Sequence, residues 1–204
     1  DRLIVADEKG RVVDGDRVMA ICARDLIARG KLPHATVVST VMSNMGLEQS
    51  LAEVGGKVVR TKVGDRYVVE EMRRGGFTFG GEQSGHLVFL EHATTGDGTI
   101  AALNLLAVMQ KSQKPLSELA TCMTVFPQVL VGVNVASKPE LGTLPGVARS
   151  IADAESKLAG RGRVLVRYSG TEPKARVMVE GPDDGQNKAI AEAIAGELRT
   201  AIGA

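Results

Sequence analysis

The chain has 204 residues, 44% hydrophobic and 24% charged, with a formal net charge of +1. That composition excludes a disordered chain, and the length suits one large domain or two smaller ones with cores of their own. The near-zero charge and the absence of a Lys/Arg run argue against a nucleic-acid partner or a membrane surface held by bulk electrostatics, so any anion site must be local. No apolar stretch is long enough for a membrane span, and no signal peptide is seen. The chain starts Asp1-Arg2-Leu3-Ile4-Val5 and enters a strand pattern almost at once, as a fragment of a longer cytoplasmic protein would. Cys22 lies in an apolar helical pattern and Cys122 lacks metal-type neighbours, which fits a reduced cytosolic protein; one disulfide stays open.

In chain order, 2–6 and 11–13 flank the turn signal Asp7-Glu8-Lys9-Gly10 and predict a hairpin too small to fold alone. Val18, Ile21, Cys22, Leu26 and Ile27 then recur at helical spacing, with Asp14 or Asp16 as cap and Gly30 as stop. A strand over 35–40 precedes a helix carrying Leu47, Leu51 and Val54, and a strand follows over 57–61. Asp65 is the expected cap of a helix with Val68, Val69 and Met72, closed by Gly75 and Gly76. Strands are expected over 77–79 and 87–90, and "TTGDG" introduces a helix with Leu103, Leu106 and Met109. This alternation predicts an α/β fold: a three-layer α/β/α domain with a mainly parallel mixed sheet over 14–123. Beyond it the order changes to a strand over 129–135, a helix over 148–158, an antiparallel pair over 163–168 and 176–180, and a helix over 188–202. That order predicts a smaller α+β domain over 124–204 with an antiparallel sheet and two helices.

Three loops carry more polar chemistry than a connection requires. In "RVLVRYSGTEPKARVMVEG", Ser169, Gly170 and Thr171 lie between Arg167 and Arg176. Glycine admits a ligand close to the backbone, hydroxyls and N–H groups donate to oxyanions, and guanidinium forks match phosphate. The alternative is a structural turn with solvated arginines. In "GGEQSGH", an extended path would point Glu82, Ser84 and His86 to one side, suited to sugar hydroxyls or an ammonium and to proton exchange; the alternative is a glycine-rich connection with satisfied polar side chains. In "TKVGDRYV", Gly64 and Asp65 read first as a strand end and a helix cap, while Lys62 and Arg66 lie beyond a strand's carboxyl end, where α/β sheets often bind ligands. In "STVMSN", Ser43 and Asn44 are expected caps, and Asp97 is read as a helix initiator. His34 and His92 are read as structural.

Together, "GEQSGH", "TTGDG" and "RYSGTEPKARVMVEG" resemble the α-D-phosphohexomutase superfamily. "TVMSNMGLE" and "RTKVGDRYV" look like its phosphoglucosamine mutase branch, which Gln83 also favours. The resemblance implies four domains around one cleft, this chain matching the end of the second over 1–13, the third over 14–123 and the fourth over 124–204. Carried over by motif, Arg167, Ser169, Gly170, Thr171 and Arg176 would bind the distal phosphate, with Tyr168 and Glu172 shaping the loop. Glu82 and Ser84 would read sugar hydroxyls, His86 would position substrate or transfer a proton, and Lys62, Gly64, Asp65 and Arg66 would line the cleft.

The complete enzyme implied is an isomerase of amino-sugar biosynthesis that interconverts glucosamine 6-phosphate and glucosamine 1-phosphate. It would use a phosphoserine, Mg2+ and glucosamine 1,6-bisphosphate as intermediate, and relatives often form homodimers. The serine loop falls outside this chain, and Asp1 with Arg2 would be all that is left of the aspartate-rich magnesium loop. "DGD" at 14–16 is read as a junction and cap. The fragment alone is therefore expected to bind but not to turn over. The alternatives are a non-catalytic sugar-phosphate-binding module, or a phosphomannomutase or phosphoglucomutase.

Overall fold

In the computed structural model, which describes residues 1–204, the chain divides into two units, 1–125 and 126–204. In the first, strands β1 (Val5–Ala6) and β2 (Val12–Val13) pair antiparallel. The Asp7 carboxylate closes their turn by accepting from the Lys9 and Arg11 N–H groups, both at 2.9 Å. Leu3, Val5 and Val13 pack into this unit's core.

Helix α1 (Gly15–Ala28) is capped by Asp14, whose carboxylate accepts from the Arg17 N–H at 3.0 Å; Asp16, the other cap expected, is fully buried instead. Cys22 is a buried core residue, and burial pushes its thiol up to about 12. Strand β3 (Thr36–Thr40) is followed by α2 (Met45–Ala52), capped by Asn44 through the Gly46 N–H at 3.0 Å. After β4 (Lys57–Thr61) comes α3 (Asp65–Gly75), whose cap is Gly64 rather than Asp65. Gly64 makes the turn at φ +131, and the Asp65 carboxylate accepts only from the neighbouring Arg66 N–H.

Strand β5 is Phe79–Gly81, two residues later than the run at 77–79 suggests. A Cβ on Gly80 would lie 2.5 Å from the Val38 carbonyl oxygen and 2.9 Å from Met72 Sδ, so close packing puts glycine inside the sheet here. Strand β6 (Leu87–Phe89) leads to α4 (Gly98–Ser112), capped by Asp97 through the Thr99 and Ile100 N–H groups, and to the single turn α5 (Leu116–Leu119). The sheet order is β4-β3-β5-β6, parallel except for β5-β6. Val37 joins α1, α2 and α4 on one face, while Val38 and Val88 pack with Val68 and Met72 of α3 on the other. These are the three layers that the alternation predicts.

The second unit holds β7 (Gln128–Asn134), α6 (Pro145–Leu158), β8 (Arg163–Tyr168), β9 (Lys174–Glu180) and α7 (Asp184–Ile202). Both helices start before the predicted residue: proline fits the first turn of α6, and Asp183 caps α7 through the Gln186 N–H at 2.8 Å. The sheet is antiparallel throughout in the order β7-β9-β8. Ala175, Val177 and Val179 of β9 pack with Val147, Leu158, Ile194 and Leu198 of the helices. The alternate residues Arg176, Met178 and Glu180 face the other way. No helix in the chain is long and apolar enough to cross a membrane.

Candidate functional site

In the first unit, β5 and β6 lead into and out of the loop over 82–86, and this loop is a tight turn. The Glu82 N–H donates to the His86 carbonyl at 2.9 Å, the Gly85 N–H donates to the Glu82 carbonyl at 3.0 Å, and Gly85 takes φ +88. The expected alternation of Glu82, Ser84 and His86 on one side therefore does not hold. Ser84 is exposed, Glu82 half-buried and His86 buried. Side chains repeat every two residues only along an extended backbone.

Glu82 ties this loop to the next. Its Oε1 accepts from the Gly64 N–H at 3.0 Å, so one carboxylate oxygen is occupied within the protein. Behind it, His86 places Nδ1 3.6 Å from Asp1 Oδ2 and Nε2 3.6 Å from Asp65 Oδ2, too long for hydrogen bonds. Nε2 has no hydrogen-bond partner, which leaves the imidazole a free donor or acceptor. A Cβ on Gly96 would collide with the imidazole ring, so glycine lets the "TTGDG" turn close over it. The Leu3 N–H donates to the Gly85 carbonyl at 2.9 Å, which draws the start of the chain to the same place.

Asp1, Gly64, Asp65, Glu82 and His86 thus gather at one end of the sheet, whereas Lys62 and Arg66 are exposed and Arg66 is held by Glu70 at 2.7 Å. No group of three or more His, Cys, Asp or Glu side chains is placed to hold a metal ion. A hard divalent cation needs several oxygen ligands, and Asp1 does not supply them.

In the second unit, Arg167 of β8 and Arg176 of β9 are direct register partners, with Gly132 of β7 next in the row. Like charges directly opposite one another are unfavourable. Burial and the adjacent Arg176 charge hold Arg167 below its usual range. Arg176 donates to Glu172 at 2.6 Å, and Lys174 donates to the same carboxylate at 3.0 Å. These bonds hold the Glu172 carboxyl below the usual carboxylate range. Ser169 is buried, and its Oγ accepts from the Glu172 N–H at 3.2 Å, leaving the hydroxyl proton to be donated elsewhere. Gly170 and Thr171 are exposed at the tip. Lys138 donates to the Ser169 carbonyl at 2.6 Å, a contact across 31 residues that no local pattern announces. Lys174 stands inside the quoted loop and was legible as a further cation.

Two family models match the chain: the α/β/α domain III of phosphoglucomutase/phosphomannomutase over 14–126, and the C-terminal domain of the same family over 130–197. Among curated proteins, the phosphoglucosamine mutase of Anaeromyxobacter dehalogenans is 65% identical over 203 residues, 100% of this chain and 44% of the relative. That of Myxococcus xanthus is 61% identical over 202 residues, 99% of this chain and again 44% of the relative. The chain therefore spans less than half the length of the curated proteins it matches. Among solved structures, the N-acetylphosphoglucosamine mutase of Aspergillus fumigatus in complex with GlcNAc-6P and magnesium superposes with a TM-score of 0.78 at 24% identity, over 97% of this chain and 46% of the fungal one.

Proposed function

The chain belongs to the phosphoglucomutase/phosphomannomutase family, and from that premise we propose that it supplies the sugar-reading and distal-phosphate-holding parts of a phosphoglucosamine mutase. The full-length enzyme interconverts glucosamine 6-phosphate and glucosamine 1-phosphate. The observation that carries this is the opposed pair Arg167 and Arg176, two guanidiniums in register that a dianion would reconcile. Identity above 60% to phosphoglucosamine mutases of two bacteria favours the amino sugar over glucose or mannose.

In unit 2, the Arg167 and Arg176 forks bind phosphate oxygens, and the Ser169 and Thr171 hydroxyls add donors. Glu172 must release Arg176 as the dianion enters. Such a clamp recognises charge and tetrahedral shape without demanding one sugar face, which suits a ligand with two phosphates that exchanges ends. In unit 1, Glu82 keeps one oxygen on Gly64 and turns the other to sugar hydroxyls or the ammonium. His86 positions substrate or carries a proton at Nε2. The fungal structure holds magnesium. In this chain no group of three or more His, Cys, Asp or Glu side chains is placed to hold that ion.

The test is a titration of this chain with glucosamine 6-phosphate and with glucose 6-phosphate, followed by phosphorus and backbone-amide NMR. We expect saturable, glucosamine-selective shifts at 82–86 and 167–176. Arg167→Ala weakens phosphate binding by roughly 10- to 100-fold, the worth of a hydrogen bond to a charged group. Equal affinity in Arg167→Ala sinks the clamp assignment, and mutase turnover by the purified chain sinks its binding-only role.

A further inference from the structure

Beneath the loop over 82–86 lies a chain of buried polar groups on two elements and a turn: Asp16 in α1, Ser39 in β3, and Ser43 in the turn ahead of α2. Asp16 is fully buried; Oδ2 accepts from the Asn44 N–H at 2.8 Å, Oδ1 has no hydrogen-bond partner, and the carboxyl group bonds the Ser43 hydroxyl. The Ser43 and Ser39 hydroxyls are hydrogen-bonded to each other, and Ser39 Oγ donates to the Gly81 carbonyl at 2.9 Å. Gly81 immediately precedes Glu82. The first turn of α1 holds the loop at a second point, through the Gly15 N–H donating to the Gln83 carbonyl at 3.0 Å.

Each serine hydroxyl has one proton to give, and a carbonyl can only accept. When Ser39 donates to Gly81, Ser39 must accept from Ser43, and Ser43 must accept from Asp16. Asp16 is then the donor, which requires the neutral carboxylic acid. When Asp16 ionises, it can only accept, so Ser43 turns its proton to Asp16 and Ser39 turns its proton to Ser43. The Gly81 carbonyl loses its hydroxyl donor. One proton leaves to solvent, and the two hydroxyls merely rotate.

We propose that Asp16 is a positioning residue for the loop over 82–86, its protonation reversing the Asp16–Ser43–Ser39 hydrogen-bond chain and so making or releasing the bond to Gly81. Burial pushes the Asp16 carboxyl up to about 7, with Asp14 reinforcing and the Asn44 N–H, the Ser43 hydroxyl and the Arg60 charge opposing. The reversal therefore falls near neutral pH. Of the charged groups on the elements around it, Arg60 of β4 pairs with Glu48 of α2 and donates to the Ser43 carbonyl at 2.7 Å. On the loop itself, Glu82 is engaged by Gly64, and His86 lies between Asp1 and Asp65. The functional meaning rests on this loop reading the sugar, but the hydrogen-bond reversal does not.

Carbon-13 NMR of the whole chain without ligand tests it by following the Asp16 carboxyl, the Gly81 carbonyl and the Glu82 amide across the neutral range. All three share one midpoint near neutrality in the wild type. In Ser39→Ala, Asp16 keeps titrating and Gly81 no longer follows; in Asp16→Asn, the Gly81 transition vanishes. In His86→Gln the coupling persists, which separates it from histidine titration. Asp16 titrating with ordinary carboxylates, or Gly81 following pH unchanged in Ser39→Ala, overturns the proposal. Failure of the sugar-phosphate assignment would show in the ligand titration and leave this pH response in place.

Discussion

Asp16 stores a linkage between pH and stability whose sign follows from its raised carboxyl. The group goes from an ordinary 3.8 to about 7 on folding, chiefly through burial. Below about pH 4 folded and unfolded chains both hold the proton; between there and about 7 only the folded chain does, so its contribution is lost as pH rises through that window. Asp16→Asn keeps a donor toward Ser43 at every pH. Chemical unfolding above about pH 8 should find the variant more stable than wild type by an amount on the order of a few kcal/mol, with little difference at pH near 4. A difference that does not change with pH would contradict the assignment. Residues of this kind were not legible in the sequence. Asp14, Asn44 and Asp97 were, because capping is a preference settled within three residues. Asp16 is the same residue type two positions from a cap, and its partners lie some thirty residues away. Arg167 and Arg176 could be picked out because the loop brings them together locally, whereas Lys138 could not.

Among the elements, α1 acts as a strut for the loop over 82–86, and the contact is with glycine. A Cβ on Gly15 would overlap the Glu82 carbonyl and approach the Gln83 carbonyl and the Gly85 N–H, both at 2.8 Å. Gly15→Ala should cost about 1–3 kcal/mol in urea unfolding and move the amide resonances of 82–85, since the obstacle is backbone that cannot swing aside. Unchanged stability would mean the loop is not seated on the helix. The order and type of the elements followed from periodicity, which survives without knowledge of contacts. The start of β5 did not, because Gly80 and Gly81 look like a strand breaker unless the closeness of Val38 and Met72 is known. The alternation expected of Glu82, Ser84 and His86 failed for a related reason: the tight turn depends on the left-handed Gly85 and on a bond to Leu3 remote in sequence.

At the level of the whole molecule, each unit has its own sheet and its own core. The change of architecture showed in the sequence as a switch from alternating strands and helices to grouped antiparallel strands. The opposed arginines belong to one unit only. A dianion that relieves them would bind the folded second unit and not its unfolded chain, and would then stabilise that unit by mass action, about 2.7 kcal/mol at a hundredfold excess over its dissociation constant. In calorimetry, phosphate at constant ionic strength should raise the transition of 126–204 by about 4–8 °C per kcal/mol and leave that of 1–125 in place. An equal rise in Arg167→Ala would count against it. If a dianion binds there, the row Gly132, Arg176, Arg167 would make the heat resistance of the second unit a readout of the anion dissolved around it. Phosphate-buffered and phosphate-free preparations would then give different melting profiles for the same covalent molecule, and the gap between their two transitions would measure how full the clamp is.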